Sequence, residues 1–419
     1  TCGSRHQMTQ ILGLPRVSQG SFSKTSSETD LEAATTSEDA SNLAVAILIF
    51  KVFFGSGFLI VPKGFQNAGI VFGPLCLFGI YFLEIASILN LIQCRRTLGP
   101  GFRYEDMAAV MGRMGVKFVF FVIALCQFGF ASIWFVTCAE NFGMIVPHWS
   151  AAWRLWISLP LTMPMVWVHQ LKLLAVPNFI AIVMCTVAAL YLSFFAGSQL
   201  QNDGARPVPL INSSNADSLL WLGACAYLFE GINTVLPIYE SARDKMMVPK
   251  LIVVITLFIN IVYTLFGCLF YAALGDSTKD LATLNLPQGS FWGTLLPGSF
   301  ALVGIFTTPV IFYVVWGMYE PYCPWSARGW LSKLQKNAVR SLVVLAVFAV
   351  TWLGGQQLQN LLALVGGLCC ATLALIVPSV LHVLICKPGR LLLAQDVCIF
   401  IAGLFILVLS SAQAIASWK

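Results

Sequence analysis

The sequence predicts an all-helical protein that crosses a membrane many times, and its composition and apolar segments carry that prediction. Of the 419 residues, 58% are apolar and only 10% are charged, and the mean hydropathy is +0.82. About a quarter of the residues of a soluble domain are charged, so a soluble globular protein is excluded. Segments of about 10 residues that alternate apolar and polar positions, as in membrane β-barrels, do not occur in the sequence.

Long apolar runs give the number of predicted spans. A helix needs about 20 mostly apolar residues to cross the hydrocarbon core of a bilayer. Eleven runs are candidates, of which the fourth is short and interrupted by proline; they lie near residues 43–66, 70–94, 116–139, 155–170, 176–197, 217–238, 250–274, 291–318, 338–354, 358–385 and 395–417. Residues 42–419 are therefore predicted to form one transmembrane domain of eleven helices.

Residues 1–41 differ in composition from everything that follows. They are rich in Ser and Thr, contain few large apolar residues and carry the acids Glu28, Asp30, Glu32, Glu38 and Asp39. A segment of this kind buries too little apolar surface to fold by itself, so we expect a disordered tail. The chain has no initiator Met and no signal peptide, so we expect it to start partway through its gene product.

Lys and Arg residues in the short loops predict the orientation in the membrane. If the first span runs outward from the cytoplasm, most of these residues lie in inner loops, and the outer loops hold only Arg154, Arg206 and Lys279. The N-terminus is then cytoplasmic, and eleven spans place the C-terminus on the opposite side. The net charge of +6 reflects this topology, so nucleic-acid binding is not expected.

The first span is interrupted by residues that disfavour a helix. Its sequence KVFFGSGFLIVPKGFQNAG (51–69) contains Gly55, Ser56 and Gly57, followed by Pro62. Unpaired backbone groups cost several kcal/mol each in hydrocarbon, so a break survives only inside protein or beside a watery cavity. The break therefore predicts a binding site, although small residues also allow neighbouring helices to pack closely.

A matching break occurs in the sixth span, five spans later. There LGACAYLFEGINTVLPIYE (222–240) places Glu230 and Gly231 in an apolar run, and Pro237 follows Glu230 by seven residues, as Pro62 follows Gly55. Secondary transporters built from inverted repeats place broken helices in pairs around a substrate site. We therefore predict one repeat over about 42–197, a second over about 217–385, and an eleventh helix at 395–417.

Several polar side chains within the spans are candidates for coupling and binding. Glu230 is expected either to carry a proton or to accept hydrogen bonds from the unwound backbone, and Glu84 in the second span could face the bundle interior. Thr307 and Thr308 precede a proline in the eighth span, where they either bend the helix or bind a cation. Gln127 in the third span is expected to face the cavity or to pair two helices.

Other classes of site find little support in the sequence. The four histidines are scattered, the thirteen cysteines form no CxxC pair, and no glycine-rich segment has the spacing of a nucleotide-binding loop. We therefore predict no cofactor, no metal site and no enzymatic activity, since no nucleophile is paired with a base.

The two broken spans resemble those of the amino acid/auxin permease family, which includes proton-coupled and fungal vacuolar amino acid transporters. The first-span motif is matched by Lys51, Gly55, Ser56, Gly57, Leu59, Pro62, Phe65, Asn67 and Gly69. The sixth-span motif is matched by Phe229, Glu230, Gly231, Ile232, Leu236, Pro237 and Glu240. The Lys after Pro62 and the IYES segment are more similar to the vacuolar branch.

The resemblance implies a leucine-transporter-type fold with a five-plus-five inverted repeat. In that fold the substrate carboxylate meets the backbone amides near Gly55, Ser56 and Gly57, with Phe58 beside them. The substrate amino group meets carbonyls near Phe229 and Gly231, with Ile232 beside them. Animal proton-coupled members carry a functional histidine in the second span; here no histidine lies between His6 and His148, so a proton would bind elsewhere.

We expect a secondary transporter that moves small neutral amino acids together with protons by alternating access. Sodium is the alternative coupling ion, because Thr307 and Thr308 align with the cation-binding region of sodium-coupled relatives. An amino acid sensor that transports little is the alternative from another class, with residues 1–41 as its output segment. The expected location is a vacuolar or lysosomal membrane, or otherwise the plasma membrane.

Overall fold

The fold is helical throughout the part of the chain that the computed structural model describes, namely residues 40–168, 172–212, 215–320, 330–355 and 357–418. In those residues the only β pairing is one isolated bridge between Ala40 and Ala242. The predicted tail lies outside the described residues except for its last two positions. The prediction of an all-helical fold is confirmed.

Fifteen α-helices follow one another in the part of the chain that the structure describes. They are α1 (Asn42–Phe53), α2 (Val61–Ala68), α3 (Phe72–Leu98), α4 (Tyr104–Met107), α5 (Gly112–Ile145), α6 (Ala151–Val166), α7 (Lys172–Asp203), α8 (Asn215–Leu228), α9 (Ile232–Ser241), α10 (Val248–Leu274), α11 (Phe291–Tyr319), α12 (Trp330–Leu353), α13 (Leu358–Val365), α14 (Val377–Cys386) and α15 (Arg390–Ala416). A 3₁₀ segment, Ser56–Ile60, precedes α2, and two wide π-helical turns, Gly366–Cys370 and Thr372–Ile376, lie between α13 and α14.

Ten helical segments of the described chain are long and apolar enough to cross a membrane. The fourth predicted span is the 16-residue helix α6, which is shorter than the others and contains Pro160 and Pro164. The third span was predicted at 116–139, whereas α5 covers 34 residues. Its ends carry polar residues such as Arg113 and Asn141, which continue the helix but fall outside an apolar run.

Helix α10 illustrates how these helices divide their surface between lipid and protein. Val254, Phe258, Ile261 and Leu265 recur at helical spacing and are all exposed. An apolar stripe of this kind faces lipid in a membrane-spanning helix. The polar side chain of Asn260 lies on the opposite, buried face.

The buried apolar side chains form two large clusters. One joins the two broken spans, α3, α10 and the tenth and eleventh spans. The other joins α5, α6, α11 and α12. The helix pair α5 and α11, which is the most extensively packed pair, contributes to the boundary between the clusters, and this boundary contains the site described next.

Candidate functional site

The first span is broken where the sequence predicts. Helix α1 ends at Phe53, and Phe54 (φ −96°, ψ 90°) and Gly55 (φ −117°, ψ −165°) are extended before the 3₁₀ segment begins at Ser56. Pro62 lies in the first turn of α2, where its missing N–H costs no helical hydrogen bond. The structure therefore replaces one long helix by two half-helices joined at residues 54 and 55.

The sixth span is broken in the same way. Helix α8 ends at Leu228 and α9 begins at Ile232, with Gly231 (φ −167°, ψ 4°) directly before it. The Thr234 hydroxyl donates to the Gly231 carbonyl at 2.6 Å, so the first turn of α9 fixes one side of the break. Both predicted breaks are confirmed.

The two breaks contact each other through their glycines. A Cβ added at Gly57 would lie 2.6 Å from Cδ2 of Leu228, and one added at Gly231 would lie 2.9 Å from Cε1 of Phe53 and 3.0 Å from Cγ1 of Val52. Real Cβ atoms essentially never approach to under 3.0 Å, so a larger residue at either position requires a neighbouring side chain to shift. The glycines thus allow side chains next to one break to lie against the backbone of the other.

A cavity of about 280 Å³ lies at the breaks. Its described lining residues are Lys51, Val52, Phe53, Phe54, Gly55, Ser56, Gly57, Phe130, Trp134, Ala181, Ile182, Cys185, Tyr227, Leu228, Glu230, Tyr263, Val303, Thr307 and Ile311. The cavity reaches Lys51, which is exposed and lies in the last turn of α1. Sites for small molecules start at about 300 Å³, so the size suits a small ligand.

The structure brings five of the predicted site residues to the cavity wall: Gly55, Ser56, Gly57, Glu230 and Thr307. The other six lie outside the described lining, and they are Phe58, Phe229, Gly231, Ile232, Gln127 and Thr308.

Two of the residues outside the lining, Phe58 and Phe229, pack their rings against other aromatic side chains. Phe58 is 1% exposed and contacts the rings of Phe266 and Phe300, with centroids 5.4 and 6.1 Å away. Phe229 packs on Tyr81, with ring centroids 6.0 Å apart. A side-chain role for these residues in binding stays a prediction.

Aromatic residues form much of the wall, and the sequence analysis did not single them out. Phe130 and Trp134 come from α5, Tyr227 from α8 and Tyr263 from α10. The hydroxyl of Tyr263 donates to the carbonyl of Phe53 at 3.3 Å, which satisfies one acceptor at the end of α1. The sequence offered one signal for Tyr263, because it places a polar hydroxyl in an otherwise apolar span. A buried tyrosine hydroxyl usually has a hydrogen-bond partner.

Glu230 is held at the break by short-range contacts. Its Oε1 accepts from Nδ2 of Asn233 at 3.2 Å, and its backbone N–H donates to the Tyr227 carbonyl at 3.4 Å. Its carboxyl also interacts electrostatically with that of Glu84 on α3. Glu84 is 3% exposed, and its Oε1 has no hydrogen-bond partner among the described residues. Glu230 at the cavity wall therefore has a second acid near it, on α3 and outside the lining.

Both threonines of the eighth span bond to their own helix. Thr307 Oγ1 donates to the Val303 carbonyl at 2.7 Å, and Thr308 Oγ1 donates to the Gly304 carbonyl at 2.8 Å. Such bonds to the preceding turn are associated with bent helices, and Pro309 follows directly. Thr307 lines the cavity, and a threonine hydroxyl that donates its proton still has lone pairs that can accept a hydrogen bond or bind a cation.

The C-terminal half of the first span, α2, is hydrogen-bonded to the connection between α10 and α11. Gln66 on α2 donates through Nε2 to the Asp276 carbonyl at 2.8 Å, and Lys63 Nζ donates to Oε1 of Gln66 at 2.8 Å. In the same connection, burial raises the pKa of Asp280, and the charge of Lys63 opposes this shift. This connection contacts α2 on the side away from Lys51.

Comparisons with known proteins find relatives over most of this chain. Residues 38–416 match the sequence model of the family described as transmembrane amino acid transporter protein. Vacuolar amino acid transporter 3 of Schizosaccharomyces pombe is 27% identical over 88% of this chain and 57% of its own length. Amino acid transporter ANT1 of Arabidopsis thaliana is 26% identical over 83% of this chain and 85% of its own length. The chain therefore spans little more than half the length of the fungal relative.

Among solved structures, the inward-facing conformation of Mhp1 is similar to this chain. Its TM-score is 0.53 at 12% sequence identity, and the match covers 90% of each chain, which shows a shared fold. The predicted leucine-transporter-type fold with broken first and sixth helices is thereby confirmed. The relatives are named as transporters, in agreement with the prediction that the chain is not an enzyme. Because the family match extends over nearly the whole transmembrane region, this multi-pass membrane protein belongs to the transmembrane amino acid transporter family.

Proposed function

We propose that the chain is a secondary active transporter that moves small neutral amino acids by alternating access, coupled to protons. The observation that carries this proposal is the cavity at the two contacting helix breaks. Three half-helix ends line it: the last residues of α1 and α8, which carry carbonyls, and the start of the 3₁₀ segment at Ser56, which carries N–H groups. A zwitterion needs both kinds of partner within a few ångströms, and half-helix dipoles favour each of its charges at the matching end.

The substrate carboxylate binds the backbone N–H groups at Ser56 and Gly57, where the 3₁₀ segment that precedes α2 begins. No side chain caps this end at Gly55, and Gly55 is exposed to the cavity. The substrate amino group binds the last carbonyls of α8 and the Glu230 carboxylate. Phe130 and Trp134 limit the room for the substrate side chain, which favours small neutral amino acids.

Glu230 and Glu84 provide the proton site. Two carboxylates that interact in a buried site repel each other, so a proton shared between them is favourable. Glu230 faces the cavity directly, whereas Glu84 lies behind it on α3. Thr307 supplies an oxygen for sodium in the alternative form of coupling.

The cavity lies between the two apolar clusters, which supports movement of one against the other. On one side it reaches exposed Lys51, and on the other side α2 is bound to the connection between α10 and α11. With a cytoplasmic N-terminus, the structure represents the state in which the cavity is open to the cytoplasm. The names of the fungal relatives favour the vacuolar membrane as the location.

Proteoliposomes that contain the full chain test this proposal. A pH step should drive uptake or release of a radiolabelled neutral amino acid, and Glu230→Gln should abolish the response. Asp203→Asn, at an exposed acid near the end of α7, is the matched control and should leave flux unchanged. Flux that does not respond to pH but requires sodium would show that sodium, and not the proton, is the coupling ion. Tight binding without flux under every gradient would favour the sensor.

A further inference from the structure

A second cavity, of about 320 Å³, lies between α5, α11 and α12, and we call it the groove. Its described lining shares no residue with that of the cavity at the breaks. Most of its wall is apolar, with Phe121 and Phe128 from α5, Val315 from α11 and Val343 from α12. Phe121 and Phe128 lie seven residues apart, about 10 Å along the helix axis. The groove is therefore an elongated apolar space that is separate from the substrate site.

One end of the groove is charged. Glu320 directly follows α11, and Lys336 and Arg340 lie four residues apart on α12. Oε1 of Glu320 accepts from Nε of Arg340 at 2.8 Å and from Nη2 at 2.6 Å. Nζ of Lys336 lies 3.7 Å from Oε2 of Glu320. Among the described lining residues, these two cations and one acid leave the end of the groove with a net positive charge.

Two N–H donors at this end have no hydrogen-bond partner among the described residues. They are Nη1 of Arg340 and Nε1 of Trp316. Arg340 is 4% exposed and Trp316 is 7% exposed, so bulk water does not reach them freely. Cζ of Arg340 lies 5.8 Å from the centroid of the Trp316 ring, which makes the guanidinium and the indole neighbours. A buried donor without a partner is unfavourable, so an acceptor bound here would stabilise the site.

These features define the chemistry of a ligand for the groove. Guanidinium and indole groups donate hydrogen bonds and do not accept them, so the head of the ligand has to supply acceptors. A phosphate suits a guanidinium best, and the net positive charge favours a head that is anionic overall. The rest of the ligand has to be apolar. A free phosphate would leave most of the groove unfilled, and an apolar chain alone would leave both donors unpaired.

The position of the groove in the membrane also suits a phospholipid. Glu320 follows the predicted eighth span and Arg340 lies near the start of the predicted ninth, so the charged end is at headgroup depth. Phe128 lies near the middle of the predicted third span, at the depth of acyl chains. Phe121 and Val339 are exposed, so the groove opens toward the surrounding lipid. Basic pockets between membrane helices on the cytoplasmic side bind lipid head groups, and that leaflet is rich in anionic lipid.

We propose that the groove binds an anionic phospholipid. Its phosphate accepts hydrogen bonds from Nη1 of Arg340 and Nε1 of Trp316, and an acyl chain lies along Phe121 and Phe128. The lipid thereby links α12 to α5 and α11, two helices that also line the cavity at the breaks. The site does not depend on the substrate or the coupling ion proposed above.

Thermal unfolding of the full chain in detergent, without any amino acid, tests the site. A ligand that binds only the folded state raises the melting temperature as its concentration increases. The test ligand is a short-chain phosphatidylglycerol, and the concentration that gives half of the maximal rise measures its affinity. The comparison ligands are phosphatidylcholine and diacylglycerol with the same chains, and inorganic phosphate.

Phosphatidylglycerol should act at a lower concentration than the three comparison ligands, because it alone combines a phosphate, a net negative charge and acyl chains. Equal protection by phosphatidylcholine would overturn the preference for an anionic lipid. Equal protection by diacylglycerol would show that the groove takes any apolar chain, and equal protection by inorganic phosphate would show that the chains do not bind. Each of these results would contradict the proposal.

Two substitutions remove one donor each. Trp316→Phe removes Nε1 and keeps an aromatic ring, and Arg340→Lys keeps the positive charge beside Glu320 and removes Nη1. Each should raise the half-maximal concentration of phosphatidylglycerol about tenfold or more, as expected for the loss of one hydrogen bond to a charged group. Trp352→Phe, at the other end of α12, and Arg390→Lys, at the exposed start of α15, are the matched controls and should leave it unchanged.

The tryptophan variant decides the question even if Arg340→Lys fails to fold. The indole N–H makes no hydrogen bond among the described residues, so its removal should leave the fold intact. If phosphatidylglycerol protects Trp316→Phe at the same concentration as the wild type, the lipid binds elsewhere on the surface and the proposal is wrong.

Discussion

Gly57 of the first span lies directly against Leu228 of the sixth, so closely that a Cβ at position 57 would come within 2.6 Å of the leucine Cδ2. This contact joins the end of α8 to the start of the 3₁₀ segment that precedes α2. It keeps the peptide groups of both breaks at one cavity. The proposed binding of a zwitterion depends on this close approach.

Gly57→Ala should separate the two breaks. Overpacking a tight contact typically costs about 1–3 kcal/mol, so we expect lower thermal stability together with a large loss of amino acid flux. Gly79→Ala is the matched control, since a Cβ at Gly79 meets nothing within 4 Å. Thermal unfolding and flux in proteoliposomes would check both variants. Wild-type flux in Gly57→Ala would argue against a substrate held between the breaks.

Tyr263→Phe should weaken the structure at the end of α1. Loss of the hydrogen bond from its hydroxyl to the Phe53 carbonyl should cost about 0.5–1.5 kcal/mol and raise KM for the amino acid. Tyr271→Phe, on the same helix, is the control, because that hydroxyl has no partner among the described residues. Equal effects of the two substitutions on KM would show that the bond to Phe53 does not position the site.

Glu84→Gln should reduce the dependence of flux on the pH gradient while leaving amino acid binding largely intact. The reason is that Glu84 interacts with Glu230 but lies outside the cavity lining. Flux at several pH gradients, with binding measured in parallel, would separate the two effects. If Glu84→Gln and Glu230→Gln both keep the wild-type response to pH, the two acids do not carry the proton.

Asp280 should make the protein less stable as the pH rises. Burial raises its pKa, so the folded state favours the protonated acid, and this contribution is present at low pH and is lost as the pH rises through the raised pKa. Asp280→Asn should therefore increase the melting temperature near neutral pH, and the gain should vanish in acid. A gain of equal size at every pH would point to a cause other than ionisation.

The sequence predicts the spans and the breaks because both depend on local properties. Apolar runs of sufficient length mark helices in lipid, and Gly55 and Gly231 disfavour a continuous helix wherever the spans pack. The wall of the cavity depends instead on which face each helix turns inward. Successive residues of a half-helix point in different directions, so Phe58 packs away from the cavity although it adjoins Gly57.

A buried pair, in which Nδ1 of His382 lies 2.7 Å from Oδ2 of Asp396, shows what sequence patterns leave open. Both residues lie near the ends of two successive apolar spans that a short turn connects, so their similar depth was a usable signal. The sequence analysis considered histidines as clustered metal ligands and as the second-span histidine of animal proton-coupled relatives. Asn90 donates to the same carboxyl group from a helix about 300 positions away in sequence, and only the packing of α3 against α14 and α15 brings it there.

A structure determined with a saturating neutral amino acid tests the central claim most directly. We predict ligand density between the two breaks, with the carboxylate within hydrogen-bond distance of the N–H groups of Ser56 or Gly57 and the amino group near the last carbonyls of α8. A ligand bound elsewhere, with the cavity at the breaks left empty, would contradict the account.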